Sequence, residues 1–305
     1  VLRALWFEPA SLRVNAYEVP VPGWPEADAK LRVALLSDLH VGSPWNGLDK
    51  LRAIVARTDA AAPDLILLAG DYVSLRIPGG HYLPPESWEP ILRGLHAPLG
   101  VYAVLGNHDF AFNPRRVTQS LQRAGIRVLN DEAFRVPPEG PAGPPRPRYG
   151  PGDEPTIPPP IEPDASRAGR GLSPFWIVGV TDLLRGPHDL ALAMQGVTDD
   201  APALLLTHNP DLLPEVPERI RLTLAGHTHG GQVRIPLLGR PIVPSRHGEQ
   251  YAAGLVIDEG RRMFVTTGLG MSILPVRFLV PPEIALLTFV PAPGPVPARS
   301  KGAAE

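Results

Sequence analysis

Five apolar runs in this chain stop at a short cluster of Asp, Asn or His. Leu35-Leu36 leads into Ser37-Asp38-Leu39-His40, Leu68-Ala69 into Gly70-Asp71, and Val104-Leu105 into Gly106-Asn107-His108-Asp109. Leu205-Leu206 leads into Thr207-His208-Asn209, and Leu224-Ala225 into Gly226-His227-Thr228-His229. A strand that ends in glycine and then releases polar side chains delivers them to a sheet edge, not to a core. Five such ends restrict the chain to folds that bring strand ends together, and the residue types point to a metal site collected there.

The first half has the pattern of a parallel sheet. Apolar runs at 31–36, 64–69, 101–105 and 126–129 alternate with helical spacings at 46–61, 84–95 and 114–124. That βαβα order implies parallel strands with right-handed crossovers, whose sites lie beyond the carboxyl ends of the strands. Asp38, Asp71 and Asn107 fall at those ends, 33 and 36 residues apart, about one βαβ unit each. Residues 12–19 alternate as an edge strand, and 132–136 is a short strand.

In the second half the spacing predicts strands over 175–180, 203–206, 221–225, 232–235, 251–257, 262–267 and 284–290, with a helix over 189–194. The later runs read as a mostly antiparallel second sheet, and Asp258-Glu259-Gly260 as a hairpin turn. Residues 137–172 contain twelve Pro and six Gly, which suits a surface insertion rather than a packed core. Residues 1–290 are expected to form a single domain, and 291–305 a frayed tail.

Composition removes several function classes. The chain has 305 residues and no cysteine, so thiolate metal sites, Fe–S clusters and cysteine nucleophiles are excluded. A net charge of −2 indicates no nucleic-acid surface. No run of 18 apolar residues is present, so this stretch does not span a bilayer as a helix. Val1-Leu2-Arg3-Ala4-Leu5-Trp6-Phe7 reads either as the stub of an anchor or signal segment or as an ordinary apolar start. The first alternative implies a membrane-associated or exported bacterial protein, the second a cytoplasmic one.

The donors Asp38, His40, Asp71, Asn107, His108, His208, His227 and His229 combine carboxylate, amide and imidazole. That set suits Mn²⁺, Fe or Zn²⁺. It exceeds what one tetrahedral ion takes and matches two ions sharing a carboxylate, the arrangement that clamps both oxygens of a phosphoryl displacement. Each piece alone is weaker evidence: Gly70-Asp71 reads as a turn, and a solitary His208 as a hydrogen-bonded core histidine. The ordered conjunction carries the argument.

That ordered set, Asp38-x-His40, Gly70-Asp71, Gly106-Asn107-His108-Asp109, His208 and Gly226-His227-Thr228-His229, resembles the calcineurin-like metallophosphoesterase superfamily. The flanks Leu205–Asp211 and Gly230–Pro236, with Gly268-Leu269-Gly270 and Pro281-Pro282-Glu283-Ile284, are similar to its YkuE/YaeI-like branch. Relatives in that branch include UDP-2,3-diacylglucosamine hydrolases. The resemblance implies a four-layer αββα sandwich with two central mixed sheets. It implies two divalent cations, Mn²⁺ the leading candidate with Fe or Zn²⁺ as others. Asp38, His40 and His229 would hold one, Asn107, His208 and His227 the other, and Asp71 would bridge. It also implies hydrolysis of a phosphodiester or pyrophosphate by a metal-bridging hydroxide, with His108 as general acid or cationic stabiliser. Asp109 would orient His108, or else cap a helix.

Outside these motifs the reading is plainer. Asp182 reads as a turn residue before a support of the metal ligands, Arg234, Arg246 and Arg277 as surface arginines before binders of a substrate phosphate, and His81, His96, His188 and His247 as structural or exposed. Ile235-Pro236-Leu237-Leu238-Gly239 either meets an acyl chain or bilayer surface or is a buried strand and turn. The leading substrate is a small-molecule or lipid-linked phosphoester. The alternatives are a phosphomonoesterase, including a protein phosphatase, and a catalytically silent metal-stabilised scaffold.

Overall fold

The computed structural model describes residues 1–28, 30–75, 77–137 and 172–292. The Pro/Gly-rich stretch, save its two ends, and the tail from 293 onward lie outside them. The first sheet has the order β1-β12-β2-β3-β4-β5, formed by β1 (Arg13–Pro22), β2 (Arg32–Leu36), β3 (Leu65–Leu68), β4 (Val101–Ala103), β5 (Arg127–Val128) and β12 (Glu283–Ala292). The second has the order β10-β11-β9-β8-β7-β6. Its strands are β6 (Glu132–Val136), β7 (Phe175–Gly179), β8 (Ala203–Leu206), β9 (Ile220–Ala225), β10 (Gly254–Asp258) and β11 (Arg261–Val265).

Period-two alternation sorts the strand side chains into layers. Val33, Leu35, Leu65 and Leu67 of the first sheet meet Ile177, Leu204, Leu206 and Leu222 of the second between the sheets. Ala34, Leu36, Ile66 and Leu68 point the other way, onto α1 (Leu48–Ala60), α2 (Pro85–Leu92) and α4 (Pro114–Arg123). Val178, Leu205 and Val265 cover the far side of the second sheet against α5 (Leu190–Met194) and the turn Pro210–Glu215. The result is an αββα sandwich. Both faces of the central strands are buried, which is why β3 and β8 read as unbroken apolar runs.

Local signals set the helices. Asn113 caps α4 by accepting from the Arg116 N–H at 3.0 Å, with Pro114 at the first helical position. Leu51 and Ile54 give α1 its buried face. A further helix, α3 (Asn107–Phe112), begins directly after β4, so the Asn-His-Asp cluster forms its first turn.

Three expectations are corrected. The second sheet is mostly parallel: β7–β8, β8–β9 and β9–β11 are parallel, and only the edge pairs β6–β7 and β10–β11 are antiparallel. Apolar alternation carries no direction; the crossovers through α5 and Pro210–Glu215 decide it. The last strand returns to the first sheet, parallel to β1 and antiparallel to β2. Residues 232–235 form no strand, only the isolated bridges Val233↔Phe278 and Ile235↔Gly239. The hairpin turn at 258–260 is present, with Glu259 (φ 45°) and Gly260 (φ 81°) both left-handed between Asp258 and Arg261.

Phe175 is buried between the sheets, its ring 5.3 Å from that of Trp24, which in turn packs 5.2 Å from Phe289. Phe175→Ala is expected to lower unfolding free energy by about 3–5 kcal/mol, measured by urea denaturation. A loss below about 1 kcal/mol would show that this contact does not hold the two sheets together.

Candidate metal centre

The five strand ends meet at one edge of the sandwich. β2, β3 and β4 are adjacent in the first sheet, β8 and β9 in the second. The loops are stitched across the sheets: the Asp38 N–H donates to Gly70 O at 2.9 Å, the Gly226 N–H to His208 O at 3.0 Å, and the His227 N–H to Asp38 Oδ2 at 3.0 Å.

Two groups of donors result. In the first, His40 Nε2 and His229 Nε2 are 3.2 Å apart, and His229 Nε2 is 3.3 Å from Asp38 Oδ1. In the second, His208 Nε2 lies 3.2 Å from Asn107 Oδ1 and 3.1 Å from His227 Nδ1. Asp71 Oδ2 sits between them, 3.5 Å from His40 Nε2 and 3.3 Å from His208 Nε2.

These residues fit divalent cations on the structure's own terms. His40 Nδ1 donates to Val73 O at 3.1 Å and His208 Nδ1 to Ala69 O at 2.7 Å. A carbonyl only accepts, so each contact puts a proton on Nδ1 and turns Nε2 toward the cluster. Asp38 is fully buried and its Oδ1 accepts no hydrogen bond. A buried carboxylate oxygen in that position is costly without a cation.

The backbone is bent to make this arrangement. Asp38 (φ 54°), His40 (φ 38°), Asp71 (φ 58°), His227 (φ 69°) and His229 (φ 51°) all lie in the left-handed region. Each such residue costs on the order of 1–3 kcal/mol, a cost that clusters at functional sites. Two glycines give room. A Cβ on Gly106 would overlap the Asp71 carboxylate, and one on Gly226 would overlap Ser37 Oγ and crowd Asp38.

Charge inside the cluster is unevenly held. Burial pushes Asp38 up to about 6, the Asp71 charge adding to it against the pull of His208. Burial drives His40 and His227 each down to about 3, and His229 well below its ordinary range, so these rings stay unprotonated. His208 goes the other way. Burial opposes its protonation, but the Asp71 charge and hydrogen bond, with Asp38 and Asp182, outweigh that and raise it to about 10.

Of the two roles expected of Asp109, orienting His108 or capping a helix, the structure shows the cap, through the Gly106 N–H at the start of α3, and adds a wider one. Asp109 is fully buried and accepts from four backbone N–H groups: Gly106 and Asp71, each at 2.9 Å, Tyr72 at 3.0 Å and Val73 at 3.2 Å. Its carboxylate clamps the β3 and β4 ends together and does not orient the His108 ring, whose Nδ1 is buried with no hydrogen-bond partner. His108 itself is half-buried. Its backbone N–H donates to Asp71 Oδ1 at 2.8 Å, and its ring meets that of His40 edge-on with centroids 4.6 Å apart.

Arg277 is the residue that sequence reasoning missed. It is no surface arginine: its exposure is 0%. Its guanidinium donates to Val280 O at 3.0 Å, Thr267 O at 2.9 Å and Gly270 O at 2.6 Å, and lies 3.4 Å from His229 Nδ1. The loop it fastens is the one whose Leu269 and Gly270 N–H groups donate to Ser37 O and Asp38 O. The available signal was a single cation inside the apolar stretch 273–280. Burial lowers its pKa only to about 10, so it remains charged at neutral pH behind the first donor group.

The remaining candidates lie outside the cluster. Asp182 forms a turn, accepting from Leu184 N at 2.9 Å and Arg185 N at 2.7 Å. Arg234, Arg246, His81 and His96 are exposed, His188 is half-buried, and His247 stacks on Tyr251. Residues 235–239 are not a buried strand: Leu237 and Leu238 stand exposed at the tip of the turn.

An αββα sandwich that gathers carboxylate, amide and imidazole donors into two groups joined by one aspartate is the scaffold of a metal-dependent hydrolase. The family model described as Calcineurin-like phosphoesterase matches residues 31–231, and the chain belongs to that family. It is similar to the metallophosphoesterase YkuE of Bacillus subtilis, with 28% identity covering 93% of this chain and 88% of that protein. Phosphodiesterase YaeI of Escherichia coli is 30% identical over 86% of this chain and 83% of its own length. The UDP-2,3-diacylglucosamine pyrophosphatase LpxG of Chlamydia trachomatis is 27% identical over 94% of this chain and 93% of its own. The chain is therefore a metal-dependent phosphoric ester hydrolase of the YkuE/YaeI-like branch, in a family that uses two metal ions.

Two measurements test the geometry. In chelator-stripped protein His208 carries a proton below about pH 10, and a cation must displace it. Uptake of Mn²⁺ should therefore release about one proton near pH 8 and tighten about tenfold per pH unit, read by calorimetry in buffers of different ionisation enthalpy. Affinity independent of pH between about 7 and about 9 would contradict that proton assignment. Asp109→Asn turns an amide N–H₂ against backbone donors, so stability should fall by about 2–4 kcal/mol and metal affinity with it, both read by thermal denaturation with and without Mn²⁺. An unchanged midpoint would show that the clamp is dispensable.

Proposed function

We propose that this chain hydrolyses a phosphodiester or pyrophosphate bond, with Mn²⁺ as the preferred metal. The observation that carries the reading is the pair of donor groups sharing Asp71, with the unpartnered Nδ1 of His108 beside them. Asp38, His40 and His229 would hold one cation, Asn107, His208 and His227 the other, with Asp71 shared. The chemistry supplied by two such cations is Lewis acidity toward phosphoryl oxygens and activation of water at neutral pH.

The protein's own groups supply the rest. His108 clusters with His40 and Asp71 but is assigned to neither ligand set here; its Nδ1 is committed to no protein partner, which suits proton donation to a leaving oxygen. Its backbone is held by Asp71, so the donor and the shared ligand keep a fixed relation. Arg277 holds the loop behind Asp38 in place and adds fixed positive charge. The name of the chlamydial relative supports a nucleotide-sugar pyrophosphate bearing acyl chains as the substrate class.

Bis(p-nitrophenyl) phosphate should be hydrolysed faster than p-nitrophenyl phosphate, and chelator should abolish both until Mn²⁺ is restored. Faster monoester turnover would favour the phosphomonoesterase reading, and no turnover with Mn²⁺, Fe²⁺ or Zn²⁺ the scaffold. His108→Ala should lower kcat by about 10²–10⁴-fold on an alkyl-leaving-group diester, and less on a nitrophenyl ester, whose leaving group needs little protonation. Metal content should stay unchanged in that variant; loss of metal would make His108 a ligand instead.

A further inference from the structure

Three segments beside the metal centre expose large apolar side chains. The helical turn Arg3–Phe7 presents Trp6 and Phe7, the turn at 235–239 presents Leu237 and Leu238, and the loop after Met271 presents Ile273 and Leu274. Hydrogen bonds fasten these segments to each other and to the metal loops. The Arg277 N–H donates to Ala4 O at 3.0 Å, and Trp45, in the loop after His40, donates its Nε1–H to Leu5 O at 3.0 Å. Gln232, three residues past His229, donates to Leu274 O at 3.2 Å and accepts from the Ser272 N–H at 2.8 Å. Arg240, just past the Leu237 turn, donates to Gly230 O at 2.8 Å.

Six large apolar side chains left exposed on linked segments are uncommon on a free monomer and mark an interaction site. Its charge identifies the partner. Arg234 and Arg246, both exposed, flank the Leu237 turn on either side in sequence. A second copy of the chain would bring the same cations against themselves across a two-fold axis. An anionic bilayer offers acyl chains for the leucines and negative headgroups for the arginines, with Trp6 suited to the interface. Among the described residues no helix is long and apolar enough to cross a membrane, so the contact is one of lying on the surface.

We propose that this face docks on an anionic lipid bilayer and presents the metal centre at headgroup level. The docking does not depend on which bond the site hydrolyses, so it stands or falls separately from the catalytic reading.

The test uses the full chain and vesicles of phosphatidylcholine with and without phosphatidylglycerol. The protein should float with the anionic vesicles, and raising ionic strength from about 0.1 to about 1 M should release much of it. Leu237→Ser with Leu238→Ser should weaken partitioning by about tenfold or more while the circular dichroism spectrum and thermal midpoint stay unchanged. Ile273→Ser with Leu274→Ser serves as the second variant should the first not fold. Trp emission should shift to the blue on vesicle addition, and Trp6→Phe should remove most of that shift. No flotation with anionic vesicles, or equal flotation of a folded double variant, would overturn the proposal. So would a concentration-dependent dimer, seen by sedimentation velocity, that the same substitutions abolish.

Discussion

The site turns on Asp71. One of its carboxylate oxygens accepts the His108 backbone N–H, and the other lies within 3.5 Å of both His40 and His208. Its own N–H, with those of Tyr72 and Val73, is fixed by Asp109 from the next strand end. A single residue therefore sets the separation of the two donor groups and the position of the proposed acid. Without a positive charge between them, buried acceptors crowd one another, and the raised pKa of His208 is the local answer to that crowding.

Several unfavourable features are tolerated around Asp71. Five of the clustered donor residues sit in left-handed backbone conformations, and Asp38 keeps an unpaired buried oxygen. The compensation lies in the sandwich itself: the central strands of both sheets are buried on both faces, so rigid strands end a few residues before the strained turns. Asp109 ties the β3 and β4 ends to each other, and Arg277 ties the 266–271 loop to the turn after β2. Removal of either tie acts on the clustered donor residues through backbone position.

Much of the site was legible because its residues are local in sequence. A glycine or polar residue that ends an apolar run marks a strand end, and five marks in one order left few alternatives. Capping of α3 by Asp109 was among the expected readings, but its clamp role was not legible, because three of its four partners are backbone N–H groups 36 to 38 residues away. Arg277 was misread for a similar reason. Its partners are carbonyls of a loop without periodicity, and only tertiary packing shows that the guanidinium is buried. The exposed leucines at 237 and 238 were left between two readings, since an apolar run carries no record of which side water lies on.

What the sequence alone determined is the set of elements, the donor residues and their place at strand ends, since periodicity and turn residues act over a few positions. The tertiary structure decided strand direction in the second sheet and the return of the last strand between β1 and β2. It also decided which donors face each other and what holds them. Those are contacts between residues as far apart as Asp38 and His227, and no local preference encodes a pairing across that distance.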